Sequence, residues 1–202
     1  MAWTLEERRG RLVDAAVQLA TERGLEHLTL RAAADMAGMS WDTARESFED
    51  HADLLRAVST AVTRLNVQVH DVDVTGALTA GTDFETRALA VAHRFWDTLT
   101  SDRELQLVSF EILVLALRRT ALRPLAAGQQ DDQRDLAEQV LTEFAERDGI
   151  TWDRPVAEVA RFVATFLDGL TTAWLIDGDH EAAAAQLELL VRALAIFVEV
   201  PS

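Results

Sequence analysis

The sequence predicts an all-α chain, and three observations carry that prediction. Only three prolines interrupt 202 residues. Apolar residues recur at three- and four-residue spacing along most of the chain, and cap-forming residues open one stretch after another. Two parts are expected: a three-helix segment over residues 1–50 and a larger helical domain over residues 51–202. Composition limits function before any motif is read. There is no cysteine, which excludes disulfides, thiol catalysis and cysteine metal sites. His27, His51, His70, His93 and His180 stand far apart, so no metal site and no cofactor is expected. No run approaches about 20 apolar residues, and the opening MAWTLEERRG lacks the apolar core of a leader, so a cytoplasmic protein away from membranes is expected. The formal net charge of −15 disfavours nonspecific contact with anionic membranes and nucleic acid.

The elements follow in order. Thr4-Leu5-Glu6-Glu7 has capping-box spacing and opens the first helix. Leu12, Ala15, Ala16, Leu19 and Ala20 form its apolar stripe, and Gly24 closes it before Leu25 and Leu28 lead back to the core. Thr29 caps a second helix, Ala37-Gly38-Met39-Ser40 makes a tight turn, and Ser40 caps a third, short helix ending near Phe48. That is a helix-turn-helix. Such a geometry sets out a short helix to be read by a partner.

A connecting helix is expected from His51 to His70, with Leu54, Leu55, Val58, Ala61, Val62 and Leu65 inward, and a break over Asp71 to Gly81. Thr82-Asp83-Phe84-Glu85 and Ser101-Asp102-Arg103-Glu104 repeat the capping-box spacing, placing caps at Thr82 and Ser101. Leu105 to Leu117 is apolar on nearly every side, so its helix should be central, and any ligand cavity should be lined by it and the preceding helix. Candidate ligand-binding residues are His93, Trp96, Phe110, Glu111 and Val114. The polar stretch AAGQQDDQRD should be exposed, and a further amphipathic helix is expected from Asp131 to Arg147. Two final helices flank the Asp177-Gly178-Asp179 turn, with seams at Val163, Phe166, Leu170 and Trp174, and at Leu187, Leu190 and Leu194. These seams suit two-helix packing either between two copies or within one.

Arg8-Arg9, Ala15-Ala16, Glu22-Arg23-Gly24, Thr29, Ala37-Gly38-Met39-Ser40, Phe48 and Asp53-Leu54-Leu55 stand in an order that resembles the DNA-binding domain of the TetR family of bacterial regulators. Phe166-Leu167-Asp168-Gly169-Leu170 with Trp174-Leu175 is similar to the family's penultimate, dimer-forming helix. The resemblance implies a homodimer that holds a palindromic double-stranded operator and is released by a small apolar effector, most often as a repressor. It implies DNA contacts by Thr29, Arg31, Ser40, Trp41, Thr43, Arg45 and His51, and dimerisation through Val163, Phe166, Leu170, Trp174, Leu187, Leu190 and Leu194.

The chain departs from the family pattern on the surface expected to meet DNA. After Ser40, relatives commonly carry Lys-Gly-Thr-Leu-Tyr-x-His-Phe, whereas this chain reads Trp41-Asp42-Thr43-Ala44-Arg45-Glu46-Ser47-Phe48, and His51 stands where a lysine is usual. Through residue 55, six arginines face eleven carboxylates. Each carboxylate near phosphate works against binding. A second reading is therefore a TetR-like protein that has lost DNA recognition and binds a metabolite or partner protein. The remote third is an enzyme with His93 and Glu111 as its acid-base pair. No catalytic motif supports that third reading.

Overall fold

Among the described residues, 3–70 and 83–199, the computed structural model contains nine α-helices and one two-residue strand pair. Helix α1 spans Leu5–Arg23. Its capping box forms as expected: the Thr4 hydroxyl accepts from the Glu7 N–H at 3.2 Å, and the Glu7 carboxylate accepts from the Thr4 N–H at 2.8 Å. The Thr4 backbone N–H, foremost, and then the Thr4 side chain hold the Glu7 carboxyl below its ordinary range. Leu12, Ala15, Ala16, Leu19 and Ala20 are buried as one stripe. Gly24 ends the helix at φ 87°, a conformation that side chains rarely adopt, while its N–H returns to the Ala20 carbonyl.

A 3-10 turn at Leu25–His27 precedes α2 (Leu30–Met36), and α3 occupies only Trp41–Ala44. The third helix is thus shorter than expected. After Ala44 the chain tightens, with the Ser47 N–H donating to the Ala44 carbonyl at 2.9 Å and the Ser47 hydroxyl to the Thr43 carbonyl at 3.3 Å. Ser47 and Phe48 are thereby buried. Helix α4 covers His51–His70, with Leu54, Leu55, Val58 and Val62 inward. Leu65 is a correction, because it stays 40% exposed.

Helix α5 (Phe84–Leu99) is capped by Asp83, whose carboxylate accepts from the Thr86 N–H at 2.9 Å, and α6 (Arg103–Arg118) by Asp102, which accepts from Leu105. A carboxylate at a helix N-terminus meets both the free amides and the positive end of the dipole. Ser101, expected to cap α6, instead donates its hydroxyl to the Thr98 carbonyl at 2.7 Å. Thr82 and the expected break over 71–81 lie outside the described residues. Helix α7 runs from Arg123 to Asp148, so the AAGQQDDQRD stretch is helical and the helix expected from Asp131 starts eight residues earlier. Pro124 is tolerated because it sits in the first turn, where its missing N–H leaves no bond unmade.

Helices α8 (Val156–Asp177) and α9 (His180–Ala195) are joined by Gly178, at φ 69°, with Asp179 capping α9 through the Ala182 N–H. Strands β1 (Thr151–Trp152) and β2 (Val198–Glu199) pair antiparallel, Thr151 opposite Glu199. Two-residue strands carry no alternation from which to read them.

The chain groups into two compact units interleaved in sequence: Met1–Val69 with Asp102–Gly128, and His70–Ser101 with Gln129–Ser202. The first unit's core gathers Leu12, Leu19, Leu54 and Val58 with Val108 and Ile112 of α6. Here α6 is not buried all round, since Val114 and Leu117 remain 52% and 57% exposed. The second unit packs Trp96, Leu99, Leu170, Trp174 and Leu187 in one cluster and Val159, Leu190 and Leu194 with Leu141 in another. Each fully buried leucine contributes about 1.5–3 kcal/mol relative to exposure.

Candidate functional site

The α2–turn–α3 segment is built so that one short helix stands outward. Thr29 caps α2 by accepting from the Ala32 N–H at 3.1 Å, Gly38 turns the chain at φ 63°, and the Met39 N–H reaches back to the Ala34 carbonyl at 2.9 Å. Met39 and Ala44 are buried and anchor the two ends of the turn. Ser40 then caps α3, accepting from the Thr43 N–H at 3.3 Å, and its hydroxyl lies 2.9 Å from that of Thr43. All seven residues expected at a DNA surface reach solvent at least in part. Trp41 is 40% exposed, with the Arg31 guanidinium over its ring at 4.7 Å. That stacking pre-positions Arg31.

The acids of this segment mostly have local employment. Asp42 pairs with Arg45 at 3.5 Å and Glu46 with Arg8 at 3.8 Å. Asp50 accepts from the Asp53 N–H at 2.7 Å, and Asp53 takes two bonds from Arg9, at 3.0 and 3.2 Å. Arg9 also donates to the Ser47 carbonyl at 2.5 Å and lies over the Phe48 ring at 4.3 Å. One guanidinium therefore fastens the start of α1 to the chain between α3 and α4. Sequence reasoning assigned Arg9 no such role, although an arginine 44 residues before an aspartate leaves no periodic signal. The surface charge persists all the same: Asp42 and Glu46 have side chains 87% and 65% exposed.

Of the five candidate ligand residues, His93 and Trp96 fall in the second unit and Phe110, Glu111 and Val114 in the first. His93 is exposed. Trp96 is 3% exposed, meets Trp174 edge to face at 6.0 Å, and leaves its indole N–H without a partner. Phe110 is half-buried and Val114 exposed. Glu111 accepts from the Leu25 N–H at 2.8 Å, so its carboxylate ties α6 to the turn before α2. Glu111→Ala is expected to lower stability by about 1–2 kcal/mol, with Glu111→Gln recovering most of it because an acceptor remains. Urea unfolding of the three proteins measures this; identical midpoints would mean that the bond is not made in solution.

The proposed dimer seam is placed differently. Leu170, Trp174, Leu187, Leu190 and Leu194 are buried in the second unit's own core, and Val163 and Phe166 pack partly against it. They hold one copy together. The outward apolar residues on these helices are Phe162 and Ile176 on α8 and Leu189 on α9, with Ile196 just beyond, at 40%, 82%, 53% and 76% exposure. Positions 162, 169 and 176 share one face of α8, as 182, 189 and 196 do on α9 and its continuation. Three- and four-residue spacing marks only the inner stripe, because Phe162 and Ile176 stand fourteen residues apart with Gly169 between them.

A carboxylate that sequence reasoning passed over lies on the same α8 turn as Phe166. Asp168 is half-buried and accepts from the Gln130 amide of α7 at 2.8 Å. Burial pushes its carboxyl up from the usual range, against the pull of the Gln130 and Gln133 hydrogen bonds.

Residues 81–199 match the family model of the BetI-type transcriptional repressor C-terminal domain. No curated protein sequence matches the chain. Among solved structures, the multidrug binding protein EbrR complexed with imidazole is 25% identical, with 97% of each chain covered and a TM-score of 0.71. EbrR complexed with ethidium is also 25% identical, covering 93% of this chain and 99% of that one at a TM-score of 0.70. A member of the TetR family from Streptomyces coelicolor A3 is 26% identical, covering 91% and 98% at a TM-score of 0.67.

Proposed function

The chain belongs to the TetR family of transcriptional regulators, and on that premise we propose that it is a homodimeric, cytoplasmic repressor. It holds a palindromic operator with α3 and releases it when a small molecule binds the larger helical part. The observation that carries the DNA half is the Ser40-capped α3, which presents Trp41, Arg45 and part of Thr43 to solvent beside a pre-positioned Arg31. Thr29 and Arg31 fix register on the backbone, Thr43 and Arg45 face the groove, and His51 stands exposed at the start of α4, next to Asp50, which caps that helix. For the effector half, EbrR has been seen with imidazole, ethidium, proflavin and malachite green. That breadth supports an effector chosen by shape and apolar contact. We assign the protein no catalytic step.

Helix α8 is the one described helix long and apolar enough to cross a bilayer. Its inner residues Val159, Ala160, Ala164, Leu170 and Trp174 are buried within the protomer, and its outer stripe is the surface we assign to the second copy. A two-fold axis through that face would pair α8 and α9 of both copies into four helices and space two reading heads for the two half-sites.

Selection from a random duplex pool, followed by anisotropy titrations across a salt series, tests the proposal. A palindrome should emerge whose affinity falls by roughly 0.9 log units per log unit of salt for each phosphate neutralised. Arg45→Ala should weaken binding about tenfold, whereas Asp42→Asn should tighten it by freeing Arg45 and removing an exposed charge. One observation favours the second reading, a protein that has given up DNA: Arg45 is already paired, and exposed carboxylates flank it. No enriched sequence from a folded dimer, even at low salt, would decide for it.

A further inference from the structure

We propose that Arg45 and Asp42 of α3 act as one base-reading unit, which selects a guanine through the arginine and a cytosine amino group through the acid. The inference rests on the regulator reading and adds to it the bases that α3 recognises. Burial decides which side of α3 faces out. Ala44 is buried, as are Ser47 and Phe48 just beyond, whereas Trp41, Asp42, Arg45 and Glu46 are exposed. Asp42 and Arg45 are three residues apart, and Arg45 keeps helical angles at the C-cap, φ −61° and ψ −21°, so the two side chains stand together on that outward side. Their exposed neighbours are occupied elsewhere: Arg31 lies over the Trp41 ring at 4.7 Å, and Glu46 pairs with Arg8 at 3.8 Å. Thr43 is half-buried, with its hydroxyl 2.9 Å from that of Ser40.

The geometry of the pair sets what it can read. Asp42 Oδ1 lies 3.5 Å from Arg45 Nε. An arginine held at Nε keeps both terminal nitrogens free, and these form the fork that matches guanine O6 and N7 in the major groove. The second Asp42 oxygen is left to accept, and cytosine N4 is the donor that carboxylates recognise there. A phosphate is the competing partner for Arg45, and the acid argues against it. With its side chain 87% exposed, Asp42 would stand beside the same phosphate and repel it. Base edges discriminate instead of repelling throughout: an amino group attracts the carboxylate and a carbonyl oxygen disfavours it. The acid on α3 thus acts as a filter, which lowers affinity for DNA at large and spares sites that carry the matching bases.

The test uses the whole protein and the palindrome it selects, with binding read by anisotropy at fixed salt. Replacing each guanine in turn by 7-deazaguanine, symmetrically in both half-sites, removes N7 and keeps base pairing. One guanine per half-site should respond, with affinity falling at least about tenfold. Arg45→Ala and Arg45→Lys should each bind the parent and the 7-deaza operator equally, although the lysine keeps the charge and the parent's salt slope. Asp42→Asn should gain little on the selected operator and about tenfold on one whose adjoining C·G pair is changed to T·A, so that its preference there falls to within about twofold of none. Wild-type binding insensitive to 7-deazaguanine at every position, an Arg45→Lys variant that still responds to it, or an Asp42→Asn variant that keeps the parent's preference would each overturn the proposal. A protein that selects a palindrome and fails these tests loses the base assignment and keeps the regulator reading; a folded dimer that selects no sequence loses both.

Discussion

Replacing Ile176 and Leu189 by arginine is expected to yield a folded monomer whose operator affinity is at least about a hundredfold below that of the parent. Both side chains point outward, at 82% and 53% exposure, and share their helix faces with Phe162 on α8 and with Ile196 just beyond α9. An isologous interface uses each residue twice. Two substitutions per chain thus remove four apolar side chains, each contributing about 1.5–3 kcal/mol when fully buried, and set four positive charges in their place. A monomer presents one reading head, so it forfeits the effective-concentration gain of linked half-site binding. Sedimentation velocity at micromolar protein reads the first effect and anisotropy the second. Leu187→Ala is the contrasting change: buried in the protomer's own core, it should cost about 2–5 kcal/mol of stability while bringing no charge to the interface. If the double arginine variant remains dimeric, the outer stripes are not the interface.

That contrast shows what a sequence can and cannot disclose. The capped starts of α1, α2 and α3, the turn between α8 and α9 and the full span of α4 were legible, because caps and stripes are local signals tied to one or two turns. The caps of α5 and α6 were misplaced by one residue onto Thr82 and Ser101, because a hydroxyl and a carboxylate stood side by side and spacing alone could not rank them. The early start of α7 was hidden by Gly128 and the polar residues around it, a composition that propensity reads as loop. The pairings that matter most for the site were not legible at all. Arg9 with Asp53, Glu111 with the Leu25 N–H, and Gln130 with Asp168 join residues separated by 44, 86 and 38 positions. Periodicity reports which side of a helix is apolar and is silent on which helix lies opposite. For the same reason it could not single out the outer face of α8, where Phe162 and Ile176 stand fourteen residues apart with Gly169 between them and no three- and four-residue rhythm marks them.

The Arg9–Asp53 clamp makes the reading head's stability depend on acid. Asp53 accepts two bonds from Arg9 and a third from the Glu49 N–H at 3.2 Å, and its side chain is only 17% exposed. The Arg9 hydrogen bonds, foremost, lower its carboxyl from the ordinary range against the opposing effect of burial. A carboxyl whose folded value lies below its unfolded one favours the folded state fully above the unfolded value of about 3.9, and that contribution is lost as pH falls through the folded value. Arg9 is shifted upward by the same partner; its contribution would be lost only at strongly alkaline pH, so acid is the accessible limb. At neutral pH, Asp53→Asn should lower the unfolding free energy by about 2 kcal/mol, the magnitude of hydrogen bonds to a charged group. In urea titrations repeated at descending pH, the gap between wild type and variant should narrow as Asp53 protonates and the wild type comes to resemble the amide. A gap that stays constant with pH would show that the loss comes from packing rather than charge. Because Arg9 also holds the Ser47 carbonyl, Arg9→Ala should lose more than Asp53→Asn. It should also weaken operator binding beyond its effect on stability, since the turn that ends α3 would no longer be tied to α1.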